Sequence, residues 1–327
     1  MKAIQVTQFG GPEKLVYTDV EEVVEVGKGE VCVRLYAAGV NPSDAYTLTG
    51  TYAFYIPQLP YTPGLDGAGI VEAVGEEVTN VRVGDRVFIA SLMRSNSTGT
   101  FAQKIVCDEA LVHLLPDHVP FEQGAALGVP AMTAYRALFQ RACLKPGQTV
   151  LIHGASGGVG LQAVQMAKSH GAKVIGTASK AEGKKMVQQA GADVVIDHVT
   201  EATIEDVLAL TNGDGPDVII EFLANINLET DLKLIASFGK IVIIGNRGSI
   251  EINPRLAMQK ECDILATALW NAPQDEYEQS IHGVRGMLIS GALRPIIGTT
   301  LPLQQAAQGF EQLAKGIGNG KLVLIIE

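Results

Sequence analysis

The chain has 327 residues, 47% of them hydrophobic, which is enough to bury a core and excludes wholesale disorder. At roughly 100–200 residues per domain, that length predicts about two domains. A formal charge of −10 argues against nucleic-acid binding by bulk electrostatics, and four scattered cysteines without a C-x-x-C pair exclude a disulfide framework or Cys-rich zinc module.

The chain opens on the alternating segment Met1–Gln8, which reads as a strand and not as a signal peptide. No stretch reaches the roughly 18 apolar residues of a spanning helix. The expectation is a soluble cytoplasmic protein with reduced thiols and no membrane partner. Strands are predicted over Val31–Val40, Gly67–Val74 and Asp85–Ala90, with glycine-rich turns between them. Many short strands with such turns predict an all-β barrel or sandwich.

The pattern changes near residue 125. A helix is predicted over Ala131–Gln140, and then strands and helices alternate. The strands are Thr149–His153, Lys173–Thr177, Asp193–Ile196, Asp217–Glu221 and Lys240–Gly245. The helices are Gly158–His170, Ala181–Ala190, Glu201–Leu210 and Leu228–Ile235. This alternation predicts βαβ units and a parallel sheet. Another strand at Ile264–Ala268, a helix over Asp275–Ser290 and a strand over Leu322–Ile326 complete the reading.

The sharpest signal is Thr149–Val164, where an apolar strand runs into Gly154, Gly157, Gly158 and Gly160 and then into a helix. Such glycines let backbone N–H groups approach a pyrophosphate, and the helix N-terminus adds positive partial charge there. The spacing is G-x-x-G-x-x-G, a weaker signature than G-x-G-x-x-G; its strand–turn–helix setting strengthens it. No Gly-Lys-Ser/Thr follows, so a Walker A loop is excluded. An NAD site places Asp or Glu at the end of the second strand to bind the ribose. Here that end reads Thr177-Ala178-Ser179-Lys180, with Lys184 and Lys185 close behind. Ser179 and Lys180 suit a 2′-phosphate, so NADPH is the expected cofactor.

Several motifs occur together: Phe9–Glu13, Gly39–Pro42, Tyr61–Gly64, Gly84–Val87, His153–Gly160, Glu221–Asn225 and Ile250–Arg255. With them the chain resembles, over essentially its whole length, zeta-crystallin-type NADPH:quinone oxidoreductases, a zinc-free branch of the medium-chain dehydrogenase/reductases. The resemblance implies an α/β fold: a Rossmann doubly wound parallel-sheet domain, 125–267, inserted into a GroES-like β-barrel catalytic domain, 1–124 and 268–327. It also implies a cleft between the domains and a homodimer or homotetramer. It carries cofactor contacts onto Ser156, Gly157, Gly158 and Val159 at the phosphates, and onto Ser179 and His198 at the adenosine end. The family has glycine at the Ser179 position, so the chain departs there. Asn227, the loop Ile244, Gly245, Asn246 and Arg247, and Thr267, Ala268 and Leu269 match further contact positions. Tyr46 and Thr133 match positions near the nicotinamide.

Zinc dehydrogenases of the same superfamily place a Cys within the stretch matching Val40–Asp44 and a Gly-His-Glu at Gly64–Gly67. Neither Cys nor His occurs in these stretches. Asp44 and Asp66 alone make a poor zinc site, so no metal is expected. Carbonyl polarisation then falls to hydrogen-bond donors, with Tyr46, Asn41 and Tyr52 as catalytic candidates. The expected reaction is hydride, or one-electron, transfer from NADPH to a quinone or related conjugated carbonyl. An enone or enoyl-thioester reductase, and a non-enzymatic crystallin or AU-rich RNA-binding role, are the alternatives. RNA binding is disfavoured by the charge.

Overall fold

A computed structural model of the chain describes residues 1–22, 25–90, 99–197, 201–316 and 318–327. In chain order, the first part contains β1 (Lys2–Gln5), β2 (Val16–Asp19), β3 (Glu30–Val40), α1 (Pro42–Leu48), β4 (Asp66–Val74), β5 (Arg86–Ile89), β6 (Lys104–Asp108) and β7 (Val112–Leu114). Helices α2 (Phe121–Gly124) and α3 (Gly128–Tyr135) follow. Next come β8 (Thr149–Ile152), α4 (Gly158–Ser169), β9 (Lys173–Thr177), α5 (Ala181–Gln189), β10 (Val194–Ile196), α6 (Glu201–Leu210), β11 (Val218–Glu221) and α7 (Ala224–Leu234). The chain continues through β12 (Lys240–Ile243), α8 (Pro254–Lys260), β13 (Asp263–Ala266) and α9 (Gln274–Ser290). It ends in β14 (Ile297–Pro302), α10 (Ala306–Ala314) and β15 (Lys321–Ile325).

Two compact units result. One joins Met1–Val129 to Pro295–Glu327, and the other is Pro130–Arg294. The first unit holds a seven-stranded sheet in the order β14-β15-β3-β4-β5-β7, with β6 also paired to β3. The C-terminal strand β15 runs antiparallel to β3, so the last residues of the chain complete the sheet that the first hundred began. Val31, Val33 and Leu35 lie at alternate positions of β3, and they are buried, as are Val71, which pairs with Val33 on β4, Phe88 and Phe101. Each such aliphatic or aromatic burial contributes about 1.5–3 kcal/mol.

The second unit holds an all-parallel sheet in the order β10-β9-β8-β11-β12-β13. Its central strands are buried on both faces, which is why Val150–Ile152 and Val218–Ile220 read as continuous apolar runs. The chain builds outward from β8 through β9 to β10, then returns to β11 and builds the other way. The order reverses between β8 and β11, the kind of crevice where open α/β sheets bind ligands.

Some boundaries differ from the sequence reading. The helix expected over Ala131–Gln140 is α3 followed by a wide turn over Arg136–Arg141, where Ala142 N bonds to Ala137 O. The helix expected from Leu228 starts at Ala224, because Leu223 N–H is capped by the Glu221 carboxylate folded back from the strand before it. Residues 268–294, expected with the first domain, lie in the second unit. The reason is packing: Arg136 Nη1 donates to Glu276 Oε2 at 2.8 Å, Gln140 Nε2 to Glu276 O at 2.6 Å, and Gly283 lies against the Tyr135 ring. Among the described residues, no helix is long and apolar enough to cross a membrane.

Candidate active site

The second unit builds its site at the carboxyl ends of the parallel strands. Strand β8 is followed by His153 and Gly154, whose φ of +50° is open to glycine at little cost. Gly154 N donates to Thr177 Oγ1 at 3.0 Å and Ala155 N to Thr177 O at 2.9 Å, tying the turn to β9. Gly157 caps α4 and is exposed, and its amide closes onto Gly154 O at 3.0 Å. The amides of Gly158, Val159 and Gly160, in the first turn of α4, have no carbonyl within the helix to bond. Ser156, Gly158 and Val159 are half-buried, so this positive helix end reaches the surface. Gly160 serves a different need. A Cβ there would lie 2.7 Å from Ala155 Cα and Gly154 O, so the helix packs directly on the turn.

At the end of β9, Ser179 and Lys180 are exposed and no carboxylate stands between Thr177 and Ala181. Lys184 Nζ is held by Asp197 Oδ1 at 2.9 Å, which draws it to the end of β10. His198 lies outside the described residues.

Past β11, Asn227 Nδ2 donates to both Glu221 carboxylate oxygens, at 3.2 and 3.1 Å. Ile244 N bonds to Glu221 O at 2.8 Å and Ala224 N to Gly245 O at 3.1 Å, so the loop after β12 rests on the β11 end. A Cβ on Gly245 would meet Phe222 O at 2.2 Å, so only glycine fits that approach. Asn246 Nδ2 donates to Gly248 O at 2.6 Å, and Arg247 N to Asn225 Oδ1 at 2.9 Å. Thr267 N continues the ladder to Ile243 O at 2.9 Å, while its Oγ1 is buried with no hydrogen-bond partner among the described residues. Ala268 follows Thr267 and Leu269 is buried beside them; Thr133 is buried on α3.

The first unit carries α1 and what holds its start. Asn41 caps the helix, Pro42 fills the first position, where a missing N–H costs nothing, and Asp44 Oδ2 accepts Asn41 N–H at 2.7 Å. Asn41 Nδ2 donates to Asp66 Oδ2 at 2.8 Å, and its Oδ1 accepts from Lys321 Nζ. Asn41 is buried with its amide committed inside the unit, so it is not the free donor to a substrate oxygen that the sequence suggested. Asp66 Oδ1 accepts Val129 N–H at 2.7 Å, which anchors the start of α3. Burial, then the neighbouring Asp66, push the Asp44 carboxyl up to about 7. Lys321 was not singled out from the sequence; its one signal is a charge opening an otherwise apolar strand. Tyr46 stands on the outer side of α1, 39% exposed, and its ring stacks on Tyr52 at 6.0 Å between centroids. Phe54 meets Tyr52 edge-on at 5.3 Å.

These features have counterparts in known proteins. Residues 27–117 match the family model for an alcohol dehydrogenase GroES-like domain, and residues 158–284 match that for a zinc-binding dehydrogenase. The chain is 41% identical over 327 residues to the quinone oxidoreductase of Homo sapiens, covering 100% of this chain and 98% of that one. It is 45% identical over 332 residues to the quinone oxidoreductase of Mus musculus, with the same coverage. The structure of Escherichia coli quinone oxidoreductase complexed with NADPH superposes with a TM-score of 0.88 at 29% identity, covering 99% of this chain and 100% of that one. The Rossmann and GroES-like architecture, and identity of this degree over the full length, place the chain in the zeta-crystallin-type quinone oxidoreductase family of the medium-chain dehydrogenase/reductases.

Proposed function

We propose that this protein is an NADPH-dependent quinone reductase. The observation that carries the reading is the glycine turn at the sheet's switch point, followed by exposed Ser179 and Lys180 where an NAD site has a carboxylate. The residues present fit the cofactor. The space over Gly157, where a Cβ would meet only Gly154 O at 3.4 Å, lies beside the first-turn amides of α4, and Thr267 Oγ1 is a buried hydroxyl with no hydrogen-bond partner among the described residues.

When bound, NADPH supplies the hydride that reduces the acceptor. The chain's own residues bind and orient. The backbone amides of Ser156, Gly158 and Val159 hold the pyrophosphate, and Gly157, whose own amide is bonded to Gly154 O, lets it approach. Ser179 and Lys180 hold the 2′-phosphate. Asn227, the Ile244–Arg247 loop, the Thr267–Leu269 segment and Thr133 hold the nicotinamide end. The Tyr46 phenol orients the nicotinamide or donates to the acceptor oxygen, and Tyr52 forms an aromatic wall. Asn41 acts indirectly, fixing the start of the helix that carries Tyr46. A reduced quinone oxygen takes its proton readily from water, so the site requires no strong acid. The enoyl-thioester and RNA-binding alternatives have no comparable support.

We place the protein in the cytoplasm, on its four free cysteines, one of them exposed. We also infer a homo-oligomer. Among the described residues strand β13, paired on one side with β12, is an edge of the parallel sheet with Ile264 40% exposed, and such an edge invites a second copy. The function is tested by following NADPH oxidation across 1,2- and 1,4-quinones, with NADH as the comparison cofactor. Turnover with NADPH and weaker use of NADH is expected; no turnover with any quinone sinks the reading.

A further inference from the structure

Three ionisable side chains meet directly beneath the glycine turn, out of contact with solvent. His153 follows β8, Glu221 ends β11 and Asp231 lies on α7; all three are buried. His153 Nε2 lies 2.8 Å from Asp231 Oδ1 and 3.5 Å from Glu221 Oε2. A ligating atom from each lies within 4.8 Å of the others. The 2.8 Å separation is that of a hydrogen bond, so a proton occupies the space between His153 and Asp231.

Burying these groups is costly unless charge and hydrogen bonds are balanced. Burial alone lowers the basicity of His153, but Asp231 and Glu221 outweigh it and raise its pKa. With an imidazolium and two carboxylates the cluster carries a net charge of −1. Asp231 Oδ2 has no hydrogen-bond partner among the described residues. A second proton, on Glu221 Oε2, would remove the net charge and supply a donor toward Asp231. Burial, then Asp231, push the Glu221 carboxyl up to about 7, against the opposing pull of His153. The charged groups facing Glu221 are His153, just after β8, and Asp231 from α7; its other partners are the neutral Leu223 amide and Asn227.

We propose that His153, Glu221 and Asp231 form a buried proton-holding cluster that positions Asn227 and the start of α7, and so couples dinucleotide binding to proton uptake. The inference rests on the reading of the glycine turn as the dinucleotide site. With Glu221 ionised, both its oxygens draw in the Asn227 amide and the cluster is anionic beneath an anionic ligand. With Glu221 protonated, Oε2 donates to Asp231, one of the Asn227 bonds is released, and the net charge is zero. Both changes favour the ligand, so binding takes up a proton and weakens as the pH rises through neutrality. Glu221 is here a positioning residue, acting through Asn227.

The test measures NADPH dissociation constants by cofactor fluorescence from pH 6 to 8.5, in the full chain and in Glu221→Gln and Asp231→Asn. Titration of the NADPH 2′-phosphate is common to all three and cancels in their ratios. The native chain is expected to lose about tenfold in affinity relative to Glu221→Gln over this range. The two variants are expected to run parallel to each other. Calorimetry in two buffers of different ionisation enthalpy is expected to show more proton uptake in the native chain than in either variant, the 2′-phosphate contributing equally to all three. If one variant fails to fold, the other carries the comparison. Tight NADPH binding with parallel pH curves in native and variant proteins overturns the cluster and leaves the dinucleotide reading standing. Stoichiometric metal that leaves on Asp231→Asn also overturns the cluster, because a metal would replace the proton. Absence of NADPH binding at every pH overturns the dinucleotide reading, and the coupling with it.

Discussion

Lys321 Nζ lies 3.4 Å from Asp66 Oδ2, with both side chains buried and Asn41 bonded to each. Burial pushes the Asp66 carboxyl up and the Lys321 ammonium down, and each partner holds the other back. Asp66 also receives Val129 N–H, so one buried pair supports the starts of both α1 and α3. Removing one partner of such a pair leaves the other charge uncompensated, which costs about 3–5 kcal/mol. Lys321→Met is therefore expected to lower urea-unfolding stability by that order. Lys321→Met combined with Asp66→Asn is expected to recover most of the loss, and equal losses in the single and double variants would show that the charge pair is not the cause.

Glycines 157 and 160 separate binding from folding. A Cβ on Gly157 meets only Gly154 O at 3.4 Å, whereas one on Gly160 meets backbone at 2.7 Å. Gly157→Ala is expected to keep its melting temperature within about 2 °C and to lose NADPH affinity about tenfold, because the methyl group fills the approach to the first-turn amides. Gly160→Ala is expected to destabilise by about 1–3 kcal/mol through overpacking. Unchanged NADPH affinity in a folded Gly157→Ala protein would remove the turn from the cofactor site.

Ser179→Asp places a carboxylate where a ribose 2′-OH is read in NAD sites. The position is exposed, so the fold is expected to be unaffected. The dissociation constant of NADPH is expected to rise more than tenfold, and that of NADH to fall, because a carboxylate repels a 2′-phosphate and accepts from a hydroxyl. Unaltered NADPH-to-NADH preference would count against Ser179 and Lys180 as the discriminating pair.

Tyr46→Phe removes one hydroxyl and keeps the ring stacked on Tyr52. The variant is expected to unfold at the native temperature and to lose about tenfold or more in kcat/KM toward quinones. Loss in NADPH affinity would assign the hydroxyl to the nicotinamide; loss in kcat alone would assign it to the acceptor oxygen. Native kinetics and cofactor affinity together would remove it from both roles.

The parallel sheet was legible because strands buried on both faces must be apolar along their length, as Val150–Ile152 and Val218–Ile220 are. The glycine turn was legible because its strand, turn and helix are contiguous. The buried charges were not. Lys321 and Asn41 are 280 positions apart, and His153 and Asp231 are 78 apart, and no local pattern records that such residues will meet. The same distance effect misled the assignment of Asn41, since a surface-seeking amide and one consumed by Lys321 and Asp66 look alike in sequence. The start of α7 was missed for a related reason: its cap is Glu221, a strand residue, in place of a Ser, Thr, Asp or Asn at the cap position.

Asp44 sets a pH dependence of stability that opposes the usual behaviour of paired carboxylates. Burial, then Asp66, raise its carboxyl from 3.8 to about 7 in the folded chain. Between those two values the native state holds a proton that the unfolded state has released, so stability falls as the pH rises. The contribution of Asp44 is fully present below about pH 4 and is lost as the pH passes through about 7. One such group changes stability by at most about 1.4 kcal/mol per pH unit. Asp44→Asn keeps an acceptor for Asn41 N–H and cannot ionise. Urea unfolding at pH 5 and pH 8 is therefore expected to show a smaller loss of stability in Asp44→Asn than in the native chain, by an amount on the order of 2 kcal/mol over the interval. Equal losses in the two proteins would mean that Asp44 ionises in the fold as readily as in the unfolded chain.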